Sequence, residues 1–350
     1  MAYLKRSWYV AAWDTEIPGE GTFHRTLLDE SILFFRDSNR LVQAISNRCP
    51  HRFAPLHKGV RVGDAVACAY HGLQFNGSGQ CVHNPHGDGF VPKTATVRSY
   101  PVVEKYSAIW IWMGEPELAD ASKIPDFSFN DPNEFFVGKR YLYARANYVL
   151  ETDNIMDLSH IQYLHPGTLG SDNVSSAETE VIQESNTVYS KRLVKNEILP
   201  DFLYAVNKIE PGTRVDRWID VRWDPPANMV LYVGAVPSGE STGNRIGRVI
   251  SHHFTPETKT TAHYWFANSY PKTMGDEGAT LAEQHIEGLN RPFRNEDLPM
   301  LEAQQAMMGD ADFWSLKPVL LAGDAGAVRA RRVLDKLIAD EQMQIANGNE

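Results

Sequence analysis

Cys49-Pro50-His51-Arg52 and Cys68-Ala69-Tyr70-His71-Gly72, with sixteen residues between His51 and Cys68, form the pattern C-x-H … C-x₂-H. Each half supplies one thiolate and one imidazole. Such a set suits two kinds of centre. Zinc takes the four ligands as a single tetrahedron. A two-iron, two-sulfide cluster takes them as unequal ends, with both thiolates on one iron and both imidazoles on the other. Neutral imidazole then removes negative charge and raises the reduction potential. Zinc motifs of this composition more often pair Cys with Cys and His with His, so the alternating order favours the two-iron cluster. The flanks point the same way. Gly72, Gly77 and Gly79 let the backbone come close to sulfide and aim its N–H groups at sulfur.

Working outward, the motifs fall among short strand signals. Residues 31–36 (SILFFR) and 41–45 (LVQAI) bracket an Asp-Ser-Asn turn, and residues 108–112 (AIWIW) read as a strand buried on both faces. Pro101 and the Gly114-Glu115-Pro116 stretch mark the end of this part. A boundary is expected at 125/126, giving domains 1–125 and 126–350. Beyond it, residues 147–164 are apolar at helical spacing and residues 178–270 read as successive strands. Helices are expected near 280–289 and 298–308 and over 324–342, the last with an apolar stripe of Val328, Leu334, Leu337 and Ile338. Strands in the middle flanked by helices predict an α+β fold.

The helical stretch carries a second set of ligand types: Asp153, Asn154, Asp157, His160 and His165. On a helix, Asp157 and His160 share a face, and Asp153 lies one turn earlier. His160 and His165 would be splayed by about 140° on an unbroken helix. Pro166 changes this, because a residue before proline is pushed out of helical geometry. His165 can therefore turn back toward His160, and a carboxylate from elsewhere would complete a 2-His-1-carboxylate site for Fe(II) with open positions for O₂. Glu296, Asp297 and Glu302 are the candidates for that carboxylate. Asn154 is a candidate hydrogen-bond donor near the metal or a structural cap. Tyr232, His252 and His253, on the middle strands, are candidate substrate-wall residues, since an imidazole there could meet an acid group.

Composition bounds the function. The chain has 350 residues, 43% of them hydrophobic and 22% charged, enough for two domains with cores of their own. A formal net charge of −10 argues against a nucleic-acid surface. No stretch approaches the roughly 18 apolar residues of a membrane helix, so no membrane association is expected and a cytoplasmic location is. Cys81 is the one cysteine outside the motif, which leaves no disulfide framework and reads as a small buried thiol.

The two motifs resemble, respectively, the Rieske iron–sulfur domain and the mononuclear iron motif of Rieske non-haem iron oxygenases. The opening WYVAAW at 8–13, CPHRFAPL at 49–56 and YHGL at 70–73 look like one branch of that family, which holds the vanillate, dicamba and toluenesulfonate oxygenase subunits. The resemblance spans essentially the whole chain. It implies an all-β Rieske domain followed by a helix-grip catalytic domain with a central antiparallel sheet. Its implied cofactors are a [2Fe-2S] cluster on Cys49, His51, Cys68 and His71, and Fe(II) on His160, His165 and, of the three candidates, Asp297. It implies a terminal oxygenase that takes electrons from a ferredoxin and/or flavin reductase, works as a homotrimer, and hydroxylates a methyl or methoxy carbon of an aromatic acid with O₂. By the same resemblance, Asp157 links His71 of the next subunit to His160. The alternatives are a ring-hydroxylating or N-demethylating oxygenase with the same metals, or a Rieske electron-transfer protein.

Overall fold

The computed structural model describes residues 2–245 and 247–347. The chain divides between Ile124 and Pro125 into Lys5–Ile124 and a larger unit of Met1–Leu4 with Pro125–Glu350. The N-terminal end differs from the expected division, because Leu4 is buried in the larger unit's core.

Runs of β-branched and aromatic residues cut by Asp, Asn and Gly turns make the smaller unit a set of short strands. In chain order they are β1 (Trp8–Trp13), β2 (Phe23–Leu27), β3 (Glu30–Arg36), β4 (Val42–Ser46), β5 (Val60–Val62), β6 (Ala65–Ala67), β7 (Gln74–Asn76), β8 (Cys81–His83), β9 (Ser99–Tyr100), β10 (Val102–Lys105) and β11 (Ala108–Trp112). They form three sheets, ordered β1-β11-β10, β2-β3-β4-β9 and β5-β6-β7-β8. Leu33, Phe35 and Ile45 from the second sheet join Val66 and Phe75 from the third in one core, which also holds Cys49 and Cys68. The cluster motifs are thus anchored at their sulfur ends by apolar packing. Cys81 packs half-buried at the edge of the same core.

The larger unit is built on one antiparallel sheet. Its strands are β12 (Phe135–Ala144), β13 (Glu178–Glu184), β14 (Thr187–Glu197), β15 (Val215–Asp224), β16 (Asn228–Pro237), β17 (Arg248–Thr258) and β18 (Thr261–Pro271), in the order β12-β18-β17-β16-β15-β14-β13. Its helices are α1 (Tyr148–Met156), α2 (Ile161–Leu164), α3 (Asp201–Asn207), α4 (Gly275–Pro292), α5 (Leu298–Met308) and α6 (Ala325–Asn347). Helix α4 lies along β12 and β18. Gly138 makes that approach possible: a Cβ there would stand 2.2 Å from the carbonyl of Ala282 on α4.

The expected helix over 147–164 is not continuous. Asn147 caps α1 by accepting from the Val149 N–H, and the helix stops at Met156. Asp157 is extended (φ −119°, ψ 92°) and caps a new 3₁₀ turn at Leu158–His160 by accepting from the Ser159 N–H. Its side chain replaces the helical acceptor, which is how Asp competes with helix continuation. Asp157 and His160 therefore do not share a helix face. His165 leaves α2 just before Pro166 (φ −116°, ψ 45°), as the proline requires.

Candidate metal centres

The two cluster loops are built alike. The Cys49 N–H donates to the Ala54 carbonyl while the Phe53 N–H donates back to the Cys49 carbonyl. The Cys68 N–H donates to the Leu73 carbonyl and the Gly72 N–H to the Cys68 carbonyl. The fourth residue after each cysteine turns left-handed, Phe53 at φ 60° and Gly72 at φ 76°. Gly72 adopts this freely; Phe53 does so at a cost that the loop's hydrogen bonds offset. The repeated geometry sorts the ligands by type. The buried thiols of Cys49 and Cys68 lie within hydrogen-bonding reach of each other, and the His51 and His71 rings meet edge-on with centroids 4.5 Å apart. Burial, with the Cys68 thiol adding to it, pushes the Cys49 thiol up, while the N–H groups of His51 and Arg52 pull it down. Paired sulfurs, paired imidazoles and N–H groups aimed at sulfur fit a cluster with chemically unequal ends.

In the larger unit, His160, His165 and Asp297 bring one ligand atom each to within 4.8 Å of one another. The Nε2 atoms of His160 and His165 lie 3.3 Å and 3.1 Å from Asp297 carboxylate oxygens. Each ring is fixed by its other nitrogen. His160 Nδ1 donates to the Asp157 backbone carbonyl at 2.9 Å, and His165 Nδ1 makes a short bond to Glu296 Oε2. With Nδ1 of each ring engaged elsewhere, both Nε2 atoms face the Asp297 carboxylate, and a metal ion held there would meet both through their lone pairs. Burial alone would raise the Asp297 carboxyl; the two imidazoles outweigh it and hold the group down at about 2. Asn154 donates to Asp297 Oδ1 at 3.0 Å.

Asp297 owes its position to a π-helical turn, Phe293–Asp297, between α4 and α5. Such a turn carries one extra residue past the ordinary register, and it delivers consecutive carboxylates, Glu296 and Asp297, to opposite nitrogens of one imidazole. Pro299 follows directly at the start of α5, in a chain that stays helical through the turn. Of the three acidic candidates, Asp297 faces both imidazoles and Glu302 accepts from the Arg145 N–H. Glu296, the remaining candidate, instead holds His165 through Nδ1.

Asp157 differs from expectation. Its carboxylate accepts from the Ser159 N–H and hydroxyl and from Arg192 at 2.8 Å, and its backbone carbonyl rather than its side chain meets His160. Arg192 was missed because it lies on β14, where an exposed strand cation is the ordinary reading.

The His160–His165–Asp297 group opens on a cavity walled by Leu169, Leu231, Ile250 and Phe293, with α3 supplying Phe202 and Asn207. Tyr232 and His252 do not line it. Leu231 and Val233 face the cavity, so strand alternation turns Tyr232 to the other face. His252 is fully buried, hydrogen-bonded through Nδ1 to the Tyr264 hydroxyl at 2.8 Å and packed on Phe293. Burial lowers it to about 3, leaving a neutral ring with no charge to offer an acid. His253 is likewise buried, bonded to Asn228.

Residues 7–101 match the model of the Rieske [2Fe-2S] domain, and residues 144–340 match that of the vanillate O-demethylase oxygenase C-terminal domain. The chain belongs to the Rieske oxygenases of the vanillate O-demethylase type. This Rieske oxygenase is 40% identical to the iron-sulfur subunit of the toluene-4-sulfonate monooxygenase system of Comamonas testosteroni, over 97% of this chain and 98% of the relative. A crystal structure of dicamba monooxygenase bound to 3,6-dichlorosalicylic acid superposes with a TM-score of 0.89 at 34% identity, covering 98% and 99% of the two chains. A second, with non-heme iron and dicamba, reaches 0.77 at 32% identity over 98% and 100%. The Rieske oxygenase is therefore an enzyme, the terminal oxygenase component of a multicomponent system, and its cofactors are a [2Fe-2S] cluster and a mononuclear iron. No helix among the described residues is long and apolar enough to cross a membrane.

Proposed function

We propose that this oxygenase hydroxylates a methyl or methoxy carbon of an aromatic acid. A methyl group, O₂, two electrons and two protons give a hydroxymethyl group and water. From a methoxy group the resulting hemiacetal releases formaldehyde and leaves a phenol. The observation that carries the reading is the cavity: His160, His165 and Asp297 at one end, aliphatic and aromatic walls beyond them.

In this reading Cys49, Cys68, His51 and His71 hold the cluster, and His160, His165 and Asp297 hold the iron. The two centres supply O₂ activation and its electrons, which come from a ferredoxin and/or flavin reductase. Asn154 steadies the Asp297 carboxylate through its 3.0 Å bond, and the apolar walls exclude water and hold the ring. The subunits form a cytoplasmic homotrimer in which Asp157 faces His71 of the neighbouring subunit. Its bonds to Arg192 and Ser159 hold the carboxylate in place.

The test is a panel of aromatic acids, with and without methyl and methoxy groups, incubated with the enzyme, NADH and a surrogate reductase. Substrate-dependent O₂ uptake with stoichiometric formaldehyde or benzylic alcohol is the expected result. Ring diols, or N-demethylation alone, would refute the assignment.

A further inference from the structure

The cavity's polar groups beyond the iron ligands include two arginines, Arg217 and Arg248. Arg217 is accounted for. It is buried, pairs with Glu197 at 3.2 Å and donates to the Leu169 carbonyl. Arg248, half-buried at the start of β17, has no carboxylate partner among the described residues. Its charged and titratable surroundings are Arg217, Tyr270 and His285. Tyr270 bonds to Nδ1 of His285, and burial lowers that histidine to about 4, so it is neutral. Loss of water, with Arg217 adding to it, brings Arg248 itself to about 10, still fully charged at neutral pH. A cation partly withdrawn from water without a counter-ion loses hydration that nothing repays. An arginine fork that borders a ligand cavity recovers that cost when an anion arrives, and its planar N–H pairs match a carboxylate or sulfonate.

Strand geometry places this cation relative to the iron site. The ladder from Arg248 to His253 is regular, so Arg248, Ile250 and His252 share one face. His252 packs on Phe293 in the π-helical turn that carries Asp297. At about 3.4 Å per residue, Arg248 begins about 14 Å along the strand from His252. Arg248 thus joins the cavity wall well along the strand from the residue that packs on the iron-bearing turn, and Ile250, between them on the same face, lines the cavity with Leu231.

Resting on the aromatic-acid reading above, we infer that Arg248 is the anion anchor of the substrate site and selects acids whose acid group and reacting carbon lie on opposite sides of the ring. In this reading the acid group meets not the imidazole of His252 or His253 but a strand residue four positions upstream of His252. An acid group bound at Arg248 turns the opposite ring substituent toward His160, His165 and Asp297. A group on the adjacent carbon would be left against the wall.

The test is calorimetric binding of 4-methylbenzoate, 2-methylbenzoate and the neutral 4-methylbenzamide to the loaded enzyme and to its Arg248→Gln and Arg248→Lys variants. Arg248→Gln should weaken 4-methylbenzoate by about tenfold to a hundredfold and leave 4-methylbenzamide unchanged, the size expected for a charge-assisted hydrogen bond. Arg248→Lys should recover part of the loss, and the wild type should prefer the 4- to the 2-isomer. Equal benzoate binding by wild type and Arg248→Gln, no binding of either benzoate, or a preference for the 2-isomer would overturn the inference. The two readings fail separately. Arg248-dependent binding without any hydroxylated product would sink the proposed reaction and leave the anion site standing. Normal turnover with Arg248-independent binding would do the reverse.

Discussion

Glu296 grips Nδ1 of His165 while the next residue in the chain, Asp297, faces Nε2 of the same ring. The imidazole is clamped along its length, and Thr168 also donates to Glu296. A carboxylate on the far nitrogen fixes the tautomer and raises the basicity of the nitrogen that meets the metal.

Glu296→Ala should therefore lower iron affinity by about tenfold to a hundredfold, the usual effect of losing such a partner. Anaerobic Fe(II) titration of the metal-depleted protein measures it, with the visible absorbance of the [2Fe-2S] cluster as the internal control. Glu296→Gln, which keeps an acceptor oxygen, should lose less. Unchanged affinity in Glu296→Ala would make the contact structural only.

Asp297→Ala should abolish iron retention while leaving the cluster loaded. The Cys49 and Cys68 loops draw their packing from Leu33, Phe35, Val66 and Phe75, none of which belongs to the unit that holds Asp297. Iron and acid-labile sulfide analysis would show the cluster's two irons retained and the additional iron lost. Loss of both centres together would mean that Asp297 supports the fold rather than a separate metal.

Glu151 predicts a pH effect on stability. It lies on α1, wholly buried, with neither carboxylate oxygen hydrogen-bonded within the protein. Burial raises it well above its ordinary 4.5, so the folded chain keeps a proton that the unfolded chain releases. Stability from this group is complete below about pH 4.5 and declines as pH rises toward the folded value, by at most about 1.4 kcal/mol per pH unit. Glu151→Gln removes that slope. Its Tm relative to wild type should rise as pH increases above about 4.5. A constant difference would show that Glu151 finds a partner when folded.

The residues that bind by type and spacing were legible from sequence, and those that bind by folding were not. Cys49, His51, Cys68 and His71 stand in two local loops, so their grouping is written in short range. Pro166 announced the turn at His165. The break at Asp157 was hidden, because helical spacing persists across it and only the carboxylate's competition for the Ser159 N–H ends the helix. The hold of Glu296 on His165 was hidden because nothing in the sequence marks a π-helical turn, and without one consecutive acids on a helix point in different directions. Arg248 was hidden because a strand residue's side depends on register, which a distant pairing with Val233 sets.

Asp157 yields the last expectation. Its carboxylate is held by Arg192, itself buried, and the turn at Gly323 comes so close that a Cβ there would stand 2.9 Å from Oδ2. If Asp157 also relays electrons toward His160, Asp157→Asn should cut turnover by about tenfold to a hundredfold with both metal centres loaded. A purely structural role would instead lower stability through the unpaired Arg192 and spare turnover of the enzyme that remains folded. Reducing the cluster chemically and following its reoxidation by O₂ and substrate separates the two. A slowed reoxidation in Asp157→Asn, with normal reoxidation in Arg192→Lys, supports the relay. Wild-type reoxidation in Asp157→Asn ends it.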